Sequence, residues 1–169
     1  MVKIESPVVS TKWLGEEIGA SNLILLDASV PPVVPGYVSV NSQESFSVIP
    51  GSRRFDFDQV ICKPNTSLPH MMPTPELFER EVRKLGINNK SAIVVYDDVG
   101  LYASPRAWWM FRAMGHQEIA VLDGGLPQWM SEGRGVLGEF YKSTSGDFVA
   151  SPNENLFCDF EFVLKGLES

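Results

Sequence analysis

Ala92-Ile93-Val94-Val95-Tyr96, followed by Asp97-Asp98-Val99-Gly100-Leu101-Tyr102-Ala103-Ser104-Pro105-Arg106, is the stretch that decides the fold. Its first five residues form an unbroken apolar run, β-branched and aromatic, of the kind that makes a strand buried on both faces. Ser104-Pro105 then opens a helix, since proline lacks only the N–H that a first helical turn leaves unpaired. In an open parallel sheet ligands bind beyond the carboxyl ends of the strands, where a helix N-terminus offers free N–H groups to an anion. The loop therefore stands where an active site would, but no Cys, Ser or His stands where the strand ends. Asp97 stands there instead.

Working outward, the same pattern recurs. Leu23 to Leu26 reads as a buried strand ending at Asp27, behind a short helix capped by Ser10 and stopped at Gly19. Thr74-Pro75 starts a helix with Phe78, Val82 and Leu85 on its apolar face, and Glu76/Arg80 and Glu79/Arg83 at i,i+4 spacing on the other. The helix opened at Pro105 runs to about Met114 with Ala107, Trp108 and Phe111 in its stripe; the adjacent Trp108 and Trp109 face different sides. Ile119 to Leu122 is a further strand, and Asp123-Gly124-Gly125 turns into a short helix ending near Gly133. Without a phosphate-binding glycine pattern, Gly124-Gly125 reads as a tight turn. Strands alternating with helices require right-handed crossovers, so the expected fold is α/β, a doubly wound, mainly parallel sheet with helices on both faces.

Residues 31–61, rich in Pro, Gly, Ser and Asn, read as a long excursion of turns. One domain is expected over 1–136. Residues 137–152 have a linker composition, and 156–167 resume as an amphipathic helix with Phe160, Val163, Leu164 and Leu167, expected to be the first helix of a second domain. With that partner absent, the tail face and a patch around Tyr102 are expected to be exposed.

The 169 residues suffice for one well-buried domain, and the net charge of −7 with a pI near 4.8 speaks against nucleic acid or an anionic membrane as partner. No apolar run reaches bilayer length and the N-terminus has no signal-like core, so a cytoplasmic setting is expected. Cys62 and Cys158 share no CxxC or Cys/His spacing, so neither a disulfide, a metal site nor a cofactor is expected. Cys62 lies in turn-rich sequence with no helix following, which is poor support for a nucleophile. Cys158 falls in the apolar pattern of the last helix and reads as packing.

Val9-Ser10-Thr11-Lys12-Trp13-Leu14, Leu26-Asp27-Ala28-Ser29, Ile49-Pro50-Gly51, Phe55-Asp56-Phe57-Asp58, His70-Met71-Met72-Pro73, Leu85-Gly86-Ile87, Val94-Val95-Tyr96-Asp97, Pro105-Arg106-Ala107-Trp108-Trp109, Gly115-His116 and Leu122-Asp123-Gly124-Gly125 occur in the order of the tandem-domain rhodaneses. From about Val8 to Trp129 the chain resembles the N-terminal half of a thiosulfate or 3-mercaptopyruvate sulfurtransferase. The resemblance implies a reaction in which sulfane sulfur passes through a persulfide on a cysteine to a thiophilic acceptor, and that cysteine belongs to the C-terminal half. It implies a small sulfur donor and the C-terminal rhodanese domain as partners, and structural positions for His70 and His116. Asp97 matches the position of the catalytic cysteine and Gly100 the loop glycine, so Asp97, Asp98, Gly100 and Arg106 outline a pseudo-active-site loop with no catalytic residue. Leu101 and Tyr102 match pocket or interface residues. Arg106 reads either as a ligand for an anionic substrate or as the partner of Asp97 or Asp98.

The chain departs from the family at Val30, where many relatives have Trp, at Val48, where they have His, and in the inserted 31–47 segment, which puts substrate preference in question. The leading expectation is a non-catalytic half that shapes the pocket of a sulfurtransferase, with Asp97 satisfying the loop donors that a persulfide would otherwise occupy. The alternative is a stand-alone inactive rhodanese-like binding or regulatory module. A phosphatase on the same fold would also need a loop cysteine.

Overall fold

The computed structural model describes residues 1–42, 45–158 and 160–167. Among the described residues five strands, β1 (Val8–Val9), β2 (Leu23–Asp27), β3 (Ser52–Arg54), β4 (Ala92–Tyr96) and β5 (Ile119–Leu122), form one sheet in the order β1-β5-β4-β2-β3. Every strand pair is parallel; Leu25 lies opposite Val94, and Val95 opposite Val121. The sheet is doubly wound. Alternate side chains of β4 go to opposite faces, Ile93 and Val95 to one core and Val94 and Tyr96 to the other.

The helices divide accordingly. α2 (Pro75–Lys84) and α3 (Ser104–Ala113) cover the Ile93 face with Phe78, Val82, Ala107, Met110 and Phe111. α1 (Thr11–Glu17) and α4 (Gly125–Ser131) cover the other with Leu14, Leu126 and Trp129. The caps follow from the sequence: the Ser10 hydroxyl accepts from Trp13 N and the Thr74 hydroxyl from Leu77 N, each meeting a donor that the first turn leaves unpaired. Glu79 pairs with Arg83 at 2.7 Å as the i,i+4 spacing suggests. Arg80 turns away from Glu76 to the adjacent Glu81, 2.8 Å away, because Glu81 is buried and needs cations, which it takes from Arg80 and Lys84.

Three expectations are corrected. The excursion after residue 31 contains β3, and Val8–Val9 is a strand; both edge strands are too short for a periodic signal to register. Residues 137–152 are no loose linker but pack against the preceding elements. Phe148 is wholly buried between Phe78 and Phe111, and backbone bonds fasten Leu137 to Val48, Gly146 to Arg83, Phe148 to Ile87 and Ser151 to Met114. Gly146 fits so closely that a Cβ would stand 2.1 Å from the Ile87 carbonyl oxygen. Lastly, Cys158 is exposed and precedes α5 (Phe160–Leu167), so it does not pack within that helix. The apolar residues of α5 are exposed, Phe160 at 75% and Leu167 at 80%.

Candidate functional site

β2 and β4 are adjacent and end level, Asp27 opposite Tyr96, so the loops that follow them meet beyond the carboxyl edge of the sheet. In the loop after β4 the Asp97 side chain is wholly buried and turns back on its own backbone. Its Oδ1 accepts from Val99 N at 3.1 Å and Gly100 N at 2.7 Å. Its Oδ2 accepts from the N–H groups of Tyr102, Ala103 and Ser104 at 3.0, 2.9 and 2.8 Å and from the Ser104 hydroxyl at 2.6 Å. The last of these donors belong to the first turn of α3, which gains in Asp97 the anion that a helix N-terminus favours. Burial raises the Asp97 pKa, but the hydroxyl and N–H of Ser104 and then the N–H groups of Ala103 and Gly100 outweigh it and hold the carboxyl below its ordinary range.

The loop is closed from the other side by α4. Leu126 N donates to the Asp97 carbonyl at 3.0 Å, and Gly125, at φ 53°, approaches so closely that a Cβ would lie 2.5 Å from that oxygen. Gly124-Gly125 is thus a tight turn made for backbone approach. The arrangement is an anion cradle whose anion is a built-in carboxylate. The one hydroxyl in it, that of Ser104, is wholly buried and donates to Asp97.

Asp98, one residue on, is held differently. Its N–H donates to the Ser29 hydroxyl at 3.0 Å, its carbonyl accepts from Val40 N at 3.0 Å, and its Oδ2 accepts from the Ser39 hydroxyl. Its Oδ1 is buried and has no hydrogen-bond partner among the described residues. Beside it, Asp27 accepts from Ser29 N at 2.8 Å and stands 3.3 Å from Arg54 Nη1. Burial raises the Asp27 pKa, an effect that Ser29 and Arg54 oppose and the Asp98 charge reinforces. These groups line a cleft of about 440 Å³ with Val30, Pro31, Pro32, Phe46 and Phe140. Sequence reasoning missed Asp27, Ser29 and Ser39; an Asp with Ser two residues on, at a strand end, was the available sign of an Asx turn.

On the other side of the loop a wider cleft of about 920 Å³ is lined by Val30, Val33, Phe57, Met72, Tyr102 and Arg106 among others. Arg106 pairs with neither Asp97 nor Asp98. Its Nη2 donates to the His70 carbonyl at 2.7 Å and its guanidinium lies 5.1 Å from the Trp109 ring, because the carboxylate of Asp97 is already saturated by donors nearer in the chain. Burial lowers its pKa. Tyr102 is half-buried rather than bare, since Val33 and Tyr37 lie on it: Val33 N donates to its hydroxyl at 3.0 Å and the tilted Tyr37 ring is 5.1 Å away. Leu101 is 50% exposed.

The remaining candidates are held by local contacts, and of these His70 also lines the wider cleft. Cys62 Sγ donates to the Asp58 carbonyl at 3.2 Å, and burial with the charges of Asp58 and Asp56 pushes its thiol pKa up, away from a thiolate. His116 is buried with Nε2 3.0 Å from the Ser91 carbonyl, which fixes a proton on that nitrogen. His70 contacts Asp58 at 2.6 Å and has φ 58°, a strained setting for a residue with a Cβ. Trp108 donates to the Ile119 carbonyl at 3.0 Å, while Trp109 meets Phe157.

A mitochondrial thiosulfate/3-mercaptopyruvate sulfurtransferase of Arabidopsis thaliana is 42% identical over 149 residues, 88% of this chain and 38% of that protein. Rat thiosulfate sulfurtransferase is 38% identical over 169 residues, 96% of this chain and 56% of that protein. The chain thus spans about half the length of such relatives, matching their N-terminal half. Among solved structures, Escherichia coli SseA, described as a 3-mercaptopyruvate sulfotransferase with the rhodanese fold, superposes with a TM-score of 0.84 at 29% identity, covering 97% of this chain and 62% of that one. Residues 10–132 match the Rhodanese-like domain profile. With a parallel sheet of that fold and a strand-end anion cradle behind it, the chain belongs to the rhodanese-like domain family.

Proposed function

We propose that this chain serves as the non-catalytic half of a sulfurtransferase that moves sulfane sulfur from thiosulfate or 3-mercaptopyruvate to a thiophilic acceptor, the persulfide forming on a cysteine of a C-terminal rhodanese domain. One observation carries the reading: the strand-end cradle is filled by the Asp97 carboxylate, with six donors on it. A persulfide anion formed there would compete with a charge that the protein supplies itself. The relatives' names support the reaction class. In this reading Leu101, Tyr102 and Arg106 form the wall presented to the catalytic half and to the small sulfur donor. A cytoplasmic setting belongs to the proposal, although the Arabidopsis relative is named as mitochondrial; fractionation of the cell decides it.

The test is sulfur transfer to cyanide or to a thiol. The chain alone is expected to give no turnover with either donor, and a catalytic rhodanese half should gain activity when it is added. Turnover by the chain alone that disappears in Cys62→Ser, with persulfide found on Cys62, would overturn the reading. Asp97→Cys is expected to leave the chain inactive, since the loop is shaped around a carboxylate.

A further inference from the structure

We propose that the smaller cleft beside the loop, between the ends of β2 and β4, binds a primary alkylammonium group. Its inner wall carries two carboxylates, Asp27 and Asp98, against one cation, Arg54. With both acids ionised the wall bears one net negative charge, in a cleft otherwise bounded by Val30, Pro31, Pro32, Phe46 and Phe140.

The deficit is localised. Asp27 is served by Ser29 and Arg54, whereas Asp98, 6% exposed, has a donor on Oδ2 and none among the described residues on Oδ1. A buried carboxylate oxygen without a donor is costly, and the group that relieves it must bring both a proton donor and positive charge. No third ligating side chain joins the pair among the described residues, which argues against a metal ion. The aromatic wall narrows the choice further. Phe46 and Phe140 pack edge to face, with ring centroids 5.3 Å apart, and offer an apolar surface for a short alkyl chain. An ammonium is compact and has three rotatable donors; a quaternary ammonium has none for Oδ1. The recognised unit is a primary ammonium on an alkyl stem, whether of a free amine or of a lysine side chain.

Amide NMR of the whole chain, titrated with n-butylammonium chloride at constant ionic strength, tests this. Saturable shifts are expected at Ser29, Asn41 and Asp98, with tetramethylammonium giving none. Asp98→Asn keeps the shape and removes the charge, and is expected to weaken binding about tenfold or more. Phe46→Ser, at a half-exposed ring, gives a second and milder weakening should Asp98→Asn fold poorly. Blocked lysine in place of butylammonium separates the sources: comparable binding assigns the site to a lysine side chain, binding of butylammonium alone to a free amine. Absence of saturable shifts with both, equal binding of tetramethylammonium, or undiminished binding by a folded Asp98→Asn overturns the proposal. None of these results bears on sulfur transfer, which is read by turnover.

Discussion

The loop at 97–104 and the segment at 137–153 are both irregular backbone, and both are ordered, but by opposite means. In the loop one carboxylate collects six donors within seven residues of itself. The later segment is tied at separated points, by the mutual Val48–Leu137 bonds, by Tyr141 N to Ser52, Gly146 N to Arg83, Phe148 N to Ile87 and Asn153 N to Ala113. The first arrangement is local and depends on a single charge. The second is long-range, and its one concentrated element is the buried Phe148 ring. Order in a loop therefore follows from where its backbone groups are paired, and composition alone does not report it.

The largest test of this contrast is Phe148→Ala, expected to cost about 3–5 kcal/mol in urea unfolding, the range for a large ring removed from a packed core. An unchanged midpoint would return 137–153 to the status of a linker. Asp97→Ala should cost about 1–3 kcal/mol through its stranded donors. That penalty has a pH signature. Because the folded carboxyl titrates below its ordinary value of 3.8, its contribution is complete above the unfolded-state pKa and is lost as pH falls through the lower folded one. The gap between wild type and Asp97→Ala should accordingly be constant near neutrality and narrow below about pH 4; a gap that widens in acid would contradict the assignment. Gly146→Ala should cost about 1–2 kcal/mol by forcing the segment off Ile87, a clash read as a lowered melting temperature. Smallest is removal of residues 154–169, whose described apolar side chains are largely exposed: a change within about 0.5 kcal/mol is expected. Limited proteolysis should in turn cut first after 153, sparing 137–153.

The central strands were legible because a buried parallel strand must be an unbroken apolar run, and α2 because Thr74, Pro75 and Gly86 punctuate it. Asp97 was legible as a misfit, an acid where a strand gives way to a helix. What escaped the sequence is long-range. Phe148 sits among Ser, Thr and Gly, and nothing local tells that its ring reaches Phe78 and Phe111. Arg106 was close in the chain to two acids, yet its Nη2 bonds to a carbonyl 36 residues away, since short-range donors had already filled Asp97. Tyr102 was foreseen as bare because the approach of Val33 and Tyr37 to it has no periodic signature.

The two margins of the sheet bear on how the molecule behaves in company. A parallel sheet ends in rows of unpaired N–H and C=O groups that can recruit a foreign strand and seed aggregation. Here one margin is only Val8–Val9, directly after Pro7, and the other only Ser52–Arg54. On the latter, Tyr141 N already bonds the Ser52 carbonyl. Neither margin offers enough backbone to template an incoming chain, so crowding in the folded state should not extend this sheet from one molecule to the next.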